Sequence, residues 1–229
     1  DSILVKDLHM AFRPHIPDAK RTVLEAYGEI YLRAWKEAVE INERDGVEIG
    51  DREDNPDGDD EEDDEVSASM STSVRKTIAH HVLQDLMHAS IHATSPTTQK
   101  SIEVVLDPIF VEKKNDQIAN VLFRLYGPIL WRSLIATNPT VRRNAVIVLG
   151  KVFPLHDPKR SFNSSQSKGS GTMRAAVLKA TKALQQALND PFPQIRVAAS
   201  DATAKICAFY WDVLPSKEIH PLLNSTCVF

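Results

Sequence analysis

The sequence predicts an all-α protein, a solenoid of stacked helix pairs. Apolar residues recur at three-and-four spacing through most of the 229 residues, and no segment alternates as a strand would. Pro, Gly and Ser break these runs into helix-sized pieces. In addition, Asn138-Pro139-Thr140-Val141-Arg142-Arg143-Asn144-Ala145 returns as Phe192-Pro193-Gln194-Ile195-Arg196-Val197-Ala198-Ala199, matching at Pro, the β-branched residue, Arg and Ala with a constant offset of 54.

The shared positions are Pro139, Val141, Arg142 and Ala145 in the first copy and Pro193, Ile195, Arg196 and Ala199 in the second. A HEAT-type repeat opens its second helix this way. Pro in a first turn gives up no helical hydrogen bond, and Val or Ile with an Ala four residues on turns one apolar stripe inward. The expected fold is a HEAT-repeat α-solenoid of about four helix pairs plus a partial repeat, an architecture that works through its surface more than through a pocket.

The first pair covers 1–43. A short helix over 3–12 ends before Pro14, and Val23, Leu24, Tyr27, Ile30, Tyr31, Ala34, Trp35, Ala38 and Val39 mark the inward face of a longer one that starts near Asp18. Over 44–73 the periodicity stops and Gly, Pro, Ser and like charges take over. Such a composition buries too little apolar surface to offset ordering entropy, so this stretch is read as an acidic disordered insertion.

The solenoid resumes over 74–229. Val74, Ile78, Val82, Leu86 and Ala89, then Ile102, Val105, Leu106, Ile109 and Phe110, form the second pair, split at Ser95-Pro96. Ile118, Val121, Leu122, Leu125, Tyr126, Ile129, Leu130 and Leu134, then Val141, Ala145, Val148, Leu149, Val152 and Phe153, form the third. Gly127-Pro128 is expected to bend the first of these helices, and Pro154 and Pro158 end the second. A flexible Ser/Gly loop over 159–171 accounts for an offset larger than the usual period of about 40–47. The fourth pair covers 172–188 and 192–214, the latter burying Ile195, Ala199, Ala202, Ile206, Phe209, Tyr210 and Leu214, and a helix over 216–223 begins a further repeat. The unfinished last repeat and the absence of a polar cap at the start point to an interior piece of a longer solenoid.

Composition narrows the function classes. Hydrophobic residues make up 42%, enough for a sizeable core. Neither a charged-then-apolar leader nor an apolar run of membrane-spanning length is present, which argues against secretion and membrane insertion. Cys207 and Cys227 read as ordinary thiols in a reducing compartment. The stretch 51–65 holds eleven acids and one Arg, a local charge of −10 in a chain of net −4, which leaves the other 214 residues at +6. The folded part is thus mildly basic, compatible with a phosphate-backbone partner.

No Gly-rich phosphate loop, Cys-x-x-Cys pair or nucleophile elbow occurs, so no catalysis and no cofactor are expected. His81, His88 and His92 share one helix face, yet no third ligand type joins them, and they are read as solvated or packing histidines with no metal. The acids over 59–65 lack the Gly-centred loop of a calcium site and are read as a solvated linker. Ser67, Ser69 and Ser71, with Thr72 and Ser73, sit beside acids in the setting acidophilic kinases favour, and are candidate phosphorylation sites. Arg142 and Arg196 are expected to reach an acid such as Asp190 and tie repeats together. Lys113, Lys114, Arg143 and Lys151, opposite the apolar stripe, are the candidate DNA contacts. Trp131, Trp211 and the tyrosines near Trp35 are expected to fill core between repeats.

Longer stretches carry a family resemblance. Ala26-Tyr27-Gly28-Glu29-Ile30-Tyr31-Leu32-Arg33-Ala34-Trp35-Lys36-Glu37-Ala38 and Leu122-Phe123-Arg124-Leu125-Tyr126-Gly127-Pro128-Ile129-Leu130-Trp131-Arg132-Ser133-Leu134 resemble the G-type HEAT subunits of condensin II. Val152-Phe153-Pro154-Leu155-His156-Asp157-Pro158, Asp190-Pro191-Phe192-Pro193-Gln194-Ile195-Arg196 and Tyr210-Trp211-Asp212-Val213-Leu214-Pro215 follow in the same order. The likeness lapses around 48–73 and after Pro158. It implies an interior piece of the N-terminal half of a non-enzymatic subunit that binds the kleisin subunit and, with it, double-stranded DNA. The ATPase would belong to the SMC partners, the setting would be the nucleus and its chromosomes, no membrane would be involved, and the process would be mitotic chromosome condensation. The competing expectation from the repeats alone is a generic HEAT adaptor, a transport or phosphatase scaffold that binds peptides without DNA.

Overall fold

A computed structural model describes residues 2–44, 82–155 and 169–226, with side chains over 7–37, 82–155 and 173–224. Among these residues there is no strand. Helices α1 (Ser2–Phe12), α2 (Arg21–Arg44), α3 (Gln84–His92), α4 (Pro96–Val111), α5 (Asp116–Ser133), α6 (Pro139–Val152), α7 (Gly169–Leu188), α8 (Pro193–Tyr210) and α9 (Ser216–Thr226) follow in order, with 3-10 turns at Arg13–Asp18 and Trp211–Val213.

Local chemistry sets the starts of these helices. α4, α6 and α8 each carry Pro in the first turn, where no intrahelical N–H is needed. The Asn115 side chain accepts the Gln117 N–H at 2.9 Å and the Ile118 N–H at 3.4 Å to cap α5, and Asn138 accepts the Thr140 N–H at 2.9 Å to cap α6. α8 has Phe192 at its cap and no side-chain cap bond; the Asp190 carboxylate accepts the N–H of Phe192 itself at 3.0 Å, in the turn that leads into the helix.

The helices stack as pairs. α3 packs with α4, α5 with α6 and α7 with α8, and α9 lies on α7 as the first element of a further pair. Between pairs, α2 lies along α4 and α6 along α8, while α3 touches α5 and α6, so a single core runs through the stack. The chain is a helical-repeat solenoid. Phe12 stacks on Tyr27 and joins α1 to α2.

Two glycines let the long contacts close. At Gly28 an added Cβ would run into the Val105 carbonyl oxygen and meet the Pro108 ring at 3.0 and 3.1 Å. At Gly150 it would meet the Ala202 Cβ at 3.0 Å and Cα at 3.3 Å. Tyr31, Tyr126 and Phe153 are the largest fully buried side chains. The Tyr126 hydroxyl donates to Ser90 Oγ at 3.1 Å, and that hydroxyl donates to the Met87 carbonyl at 2.8 Å, so neither buried group is orphaned. Asn144, only 1% exposed, donates to the carbonyls of Ile91 at 3.1 Å and Ala93 at 2.9 Å and closes the end of α3.

The structure corrects several expectations. Phe209 is 81% exposed and Trp211 51% exposed, although both were expected inside. The buried stripe of α8 runs through Ile195, Ala199, Ala202 and Ile206 to half-buried Tyr210, which puts Phe209 outside it, and the switch to a 3-10 turn at Trp211 breaks the helical phase. Val23 and Ile30 are exposed because the inward face of α2 is centred on Leu24, Gly28, Tyr31 and Trp35. Trp131, by contrast, does pack against the core as expected, half-buried. The bend expected at Gly127-Pro128 does not end α5, which runs on to Ser133. α7 starts at Gly169 and so takes in the last three residues of the loop expected over 159–171, because a long apolar stripe downstream outweighs the weak helix preference of Gly169 and Gly171. The rest of that loop and, beyond Arg44, the acidic insertion expected over 44–73 lie outside the described residues.

Candidate interaction surfaces

The two motif arginines do the same local work in successive repeats. Arg142 Nη1 donates to the carbonyls of Ala136 at 2.7 Å and Thr137 at 2.9 Å, and Arg196 Nη1 donates to those of Asp190 at 3.0 Å and Pro191 at 3.2 Å. Each guanidinium thus gathers the carbonyls six and five residues before it, at the turn into its own helix. Arg142 also reaches across to the next pair, with Nε to Asp190 Oδ2 at 2.9 Å and Nη2 to Oδ1 at 3.1 Å, and its guanidinium lies over the Phe192 ring. Burial alone would raise Asp190, but the Arg142 hydrogen bonds, the Phe192 N–H and the charges of Arg142 and Arg196 outweigh it and hold the carboxyl below its usual range.

The four candidate DNA contacts are spread over different surroundings. Lys113 Nζ donates to the Lys151 carbonyl at 2.5 Å and the Phe153 carbonyl at 2.8 Å, and lies 5.3 Å from the Tyr210 ring centre, so it caps the end of α6. Lys151 Nζ is paired with Glu103 at 3.1 Å and Asp107 at 2.8 Å, both on α4. Lys114 is exposed, and Arg143 is half-buried with Nη1 on Asn144 Oδ1 at 3.2 Å.

Arg143 and Lys151 meet Lys205, Gln194 and Asp201 in a cleft of about 210 Å³ between α6 and α8. Glu103 stands behind Lys151, hydrogen-bonded by Gln99 Nε2 at 2.5 Å. Burial pushes the Glu103 carboxyl up while Lys151 opposes the shift. With Glu103, Asp107 and Asp201 close by, the three cations of the cleft are matched by three carboxylates. Such a cleft suits a polar segment of mixed charge better than a polyanion.

His88 and His92 are exposed and stacked, with ring centres 4.2 Å apart; burial and then the His88 charge lower His92. His81 lies outside the described residues, as do Ser67, Ser69, Ser71, Thr72 and Ser73. Among the described residues no three His, Cys, Asp or Glu side chains converge as a metal set, and no helix is long and apolar enough to cross a membrane.

Two features escaped the sequence reading. His9 is buried, its Nδ1 3.2 Å from the Tyr31 hydroxyl and its Nε2 3.1 Å from Asp85 Oδ2, and Asp85 also pairs with Arg13, which ties α1 to α2 and α3. The other is a set of exposed cations on α5 and α7, Arg132, Arg174, Lys179 and Lys182. The signal for it was present in the sequence: α7 contains three basic residues and no acidic one.

Stacked helix pairs joined by an Arg–Asp tie define a helical-repeat scaffold, a protein that acts through the surfaces it presents. The profile of the family described as condensin II non structural maintenance of chromosomes subunit matches residues 1–48 and 66–157, more than half of the chain, and the chain belongs to that family. The gap between the two matched segments, 49–65, falls on the acidic run, and residues 158–229 lie beyond the match. Condensin-2 complex subunit G2 of Mus musculus is 27% identical over 213 residues, covering 92% of this chain and 15% of the relative. The proteins of the same name from Homo sapiens and Danio rerio are 26% and 28% identical over 222 residues, each covering 96% of this chain. The chain therefore corresponds to a G-type condensin II subunit and spans 15–16% of the length of these relatives. No solved structure matches the chain significantly.

Proposed function

We propose that this chain is a non-catalytic scaffold segment of a condensin II subunit, one that holds the kleisin subunit and contributes to double-stranded DNA binding during mitotic chromosome condensation, on chromosomes in the nucleus. Membership in the condensin II family is the observation that carries this reading. The stacked helix pairs support it, because a solenoid offers a long surface to an extended partner. ATP hydrolysis then belongs to the SMC subunits, which the chain meets through the kleisin. Among the DNA candidates, exposed Lys114 and half-buried Arg143 are best placed to reach a phosphate, whereas Lys113 and Lys151 would first give up internal partners. Ser67, Ser69 and Ser71 are proposed phosphorylation sites, to be checked by phosphopeptide mapping from dividing cells.

Gel-shift titrations of the chain on duplex DNA, with and without a kleisin segment and across a salt series, test the reading. A complex that weakens steeply with salt is expected, since phosphate contacts release counterions. The exposed side chains of Phe209 and Trp211 favour a second reading, an adaptor that docks an apolar peptide without DNA. Absence of any shift with the kleisin segment present would decide for the adaptor.

A further inference from the structure

We propose that the solvent-facing side of α5 and α7 binds the phosphate backbone of duplex DNA, with Arg132, Arg174, Lys179 and Lys182 as its contacts. The inference rests on the DNA-binding reading above and assigns it to a face that none of the sequence candidates occupies.

Charge distribution is the first argument. The twenty residues of α7 hold three cations and no carboxylate, and α5 has its single acid, Asp116, in the first turn, far along the helix from Arg132. Freedom of those cations is the second. Arg132, Arg174, Lys179 and Lys182 are all exposed, and none has an ion-pair partner among the described residues. A cation already held by carboxylates, like Lys151, must break those pairs before it meets a phosphate; an unpaired one gives the full counterion-release gain.

Continuity is the third argument. Lys179 Nζ lies 4.2 Å from the centre of the Trp131 ring, so α7 brings its cations to the end of α5 that carries Arg132. Neighbouring carboxylates are few: α9, packed on α7, brings Glu218, whose carboxylate faces Gln185 at 3.4 Å, together with Lys217. A lipid surface fits less well, because no large exposed apolar side chain lies on α5 or α7 to insert.

The test is fluorescence anisotropy with a duplex of about 30 base pairs over about 50–300 mM KCl, a range in which phosphate contacts dominate the salt dependence. Wild-type chain is compared with a face variant (Arg132→Gln, Arg174→Gln, Lys179→Gln, Lys182→Gln), its Glu counterpart, and a variant of the competing candidates (Lys114→Gln, Arg143→Gln). The Gln set keeps helix propensity, and an unchanged melting temperature keeps its result interpretable. The face variants are expected to lose at least about tenfold in affinity and to flatten the log–log salt slope by about 2 to 4, while the Lys114/Arg143 variant loses clearly less than either. If the face variants bind like wild type and the Lys114/Arg143 variant loses affinity, the location is wrong and the DNA reading stands. If wild-type chain binds no duplex even with the kleisin segment, both fall. Binding to anionic vesicles in preference to duplex overturns the assignment to DNA.

Discussion

Replacing Arg142 by Met should loosen the third helix pair from the fourth. The wild-type guanidinium makes two charge-assisted bonds to Asp190, at 2.9 and 3.1 Å, and the two side chains are only 14% and 10% exposed. Removing one partner of a fully buried pair costs about 3–5 kcal/mol, and because some water reaches this one, about 3 kcal/mol is expected. Met refills the volume of the stem, which keeps the loss close to electrostatic. At about 2–4 °C per kcal/mol for a chain of this size, the melting temperature should fall by about 6–12 °C. Asp190→Asn keeps an acceptor for the Phe192 N–H and should cost less, about 1.5–2 kcal/mol. Urea unfolding of both single variants and the double variant should give a coupling of about 1–2 kcal/mol. Asp190 titrates below its unfolded value, so its contribution is fully present above the ordinary carboxylate pKa of about 3.9 and is lost as pH falls through the lower folded value. Wild type should therefore lose stability below about pH 4 more steeply than Arg142→Met. A loss under about 0.5 kcal/mol for Arg142→Met, the level of an ordinary surface change, would refute the inter-repeat tie.

Gly28→Ala should destabilise by about 2 kcal/mol, as overpacking against the Val105 carbonyl exceeds the gain of about 1 kcal/mol in helix propensity. Gly150→Ala meets only the Ala202 side chain and Cα at 3.0 and 3.3 Å, and should stay within about 1 kcal/mol of wild type, both by urea midpoint. Lys113→Met leaves two carbonyls at the end of α6 without their donor and should cost about 1–2 kcal/mol, while duplex affinity of the folded variant stays within error. Burial lowers His9 against the opposing pull of Asp85, and its neighbours are Asp85, Arg13 and Tyr31. The folded state favours the neutral ring, so this contribution is complete above the ordinary value of about 6.5 and fades as pH falls below it. The wild-type urea midpoint should accordingly drop between about pH 7 and pH 5, and less so in His9→Gln.

Much of the architecture was legible because helical spacing and helix starts are local properties. The Pro-led first turns of α6 and α8, the break at Ser95-Pro96 and the stripe Leu122, Leu125, Tyr126, Leu130 all follow from near neighbours in sequence. The end of α8 is not legible locally because Phe209 and Tyr210 are equally apolar, and only the packing of Phe153 against the Tyr210 ring decides which one turns inward. The tightness of α2 on α4 was equally hidden, since Gly28 matters only through the Val105 carbonyl placed against it.

The sequence by itself determined an all-α repeat, its helix starts and its family, because periodicity, capping and long ordered stretches of likeness are written along the chain. The tertiary structure alone decided which cations face outward unpaired. Lys113 and Lys151 carry the same charge as Lys179 and Lys182, yet the first two meet carbonyls and carboxylates brought from other helices, while the second two meet none among the described residues. A partner thirty-eight or forty-four residues away is invisible to local pattern, and it is that partner which separates a helix cap or an ion pair from a binding surface.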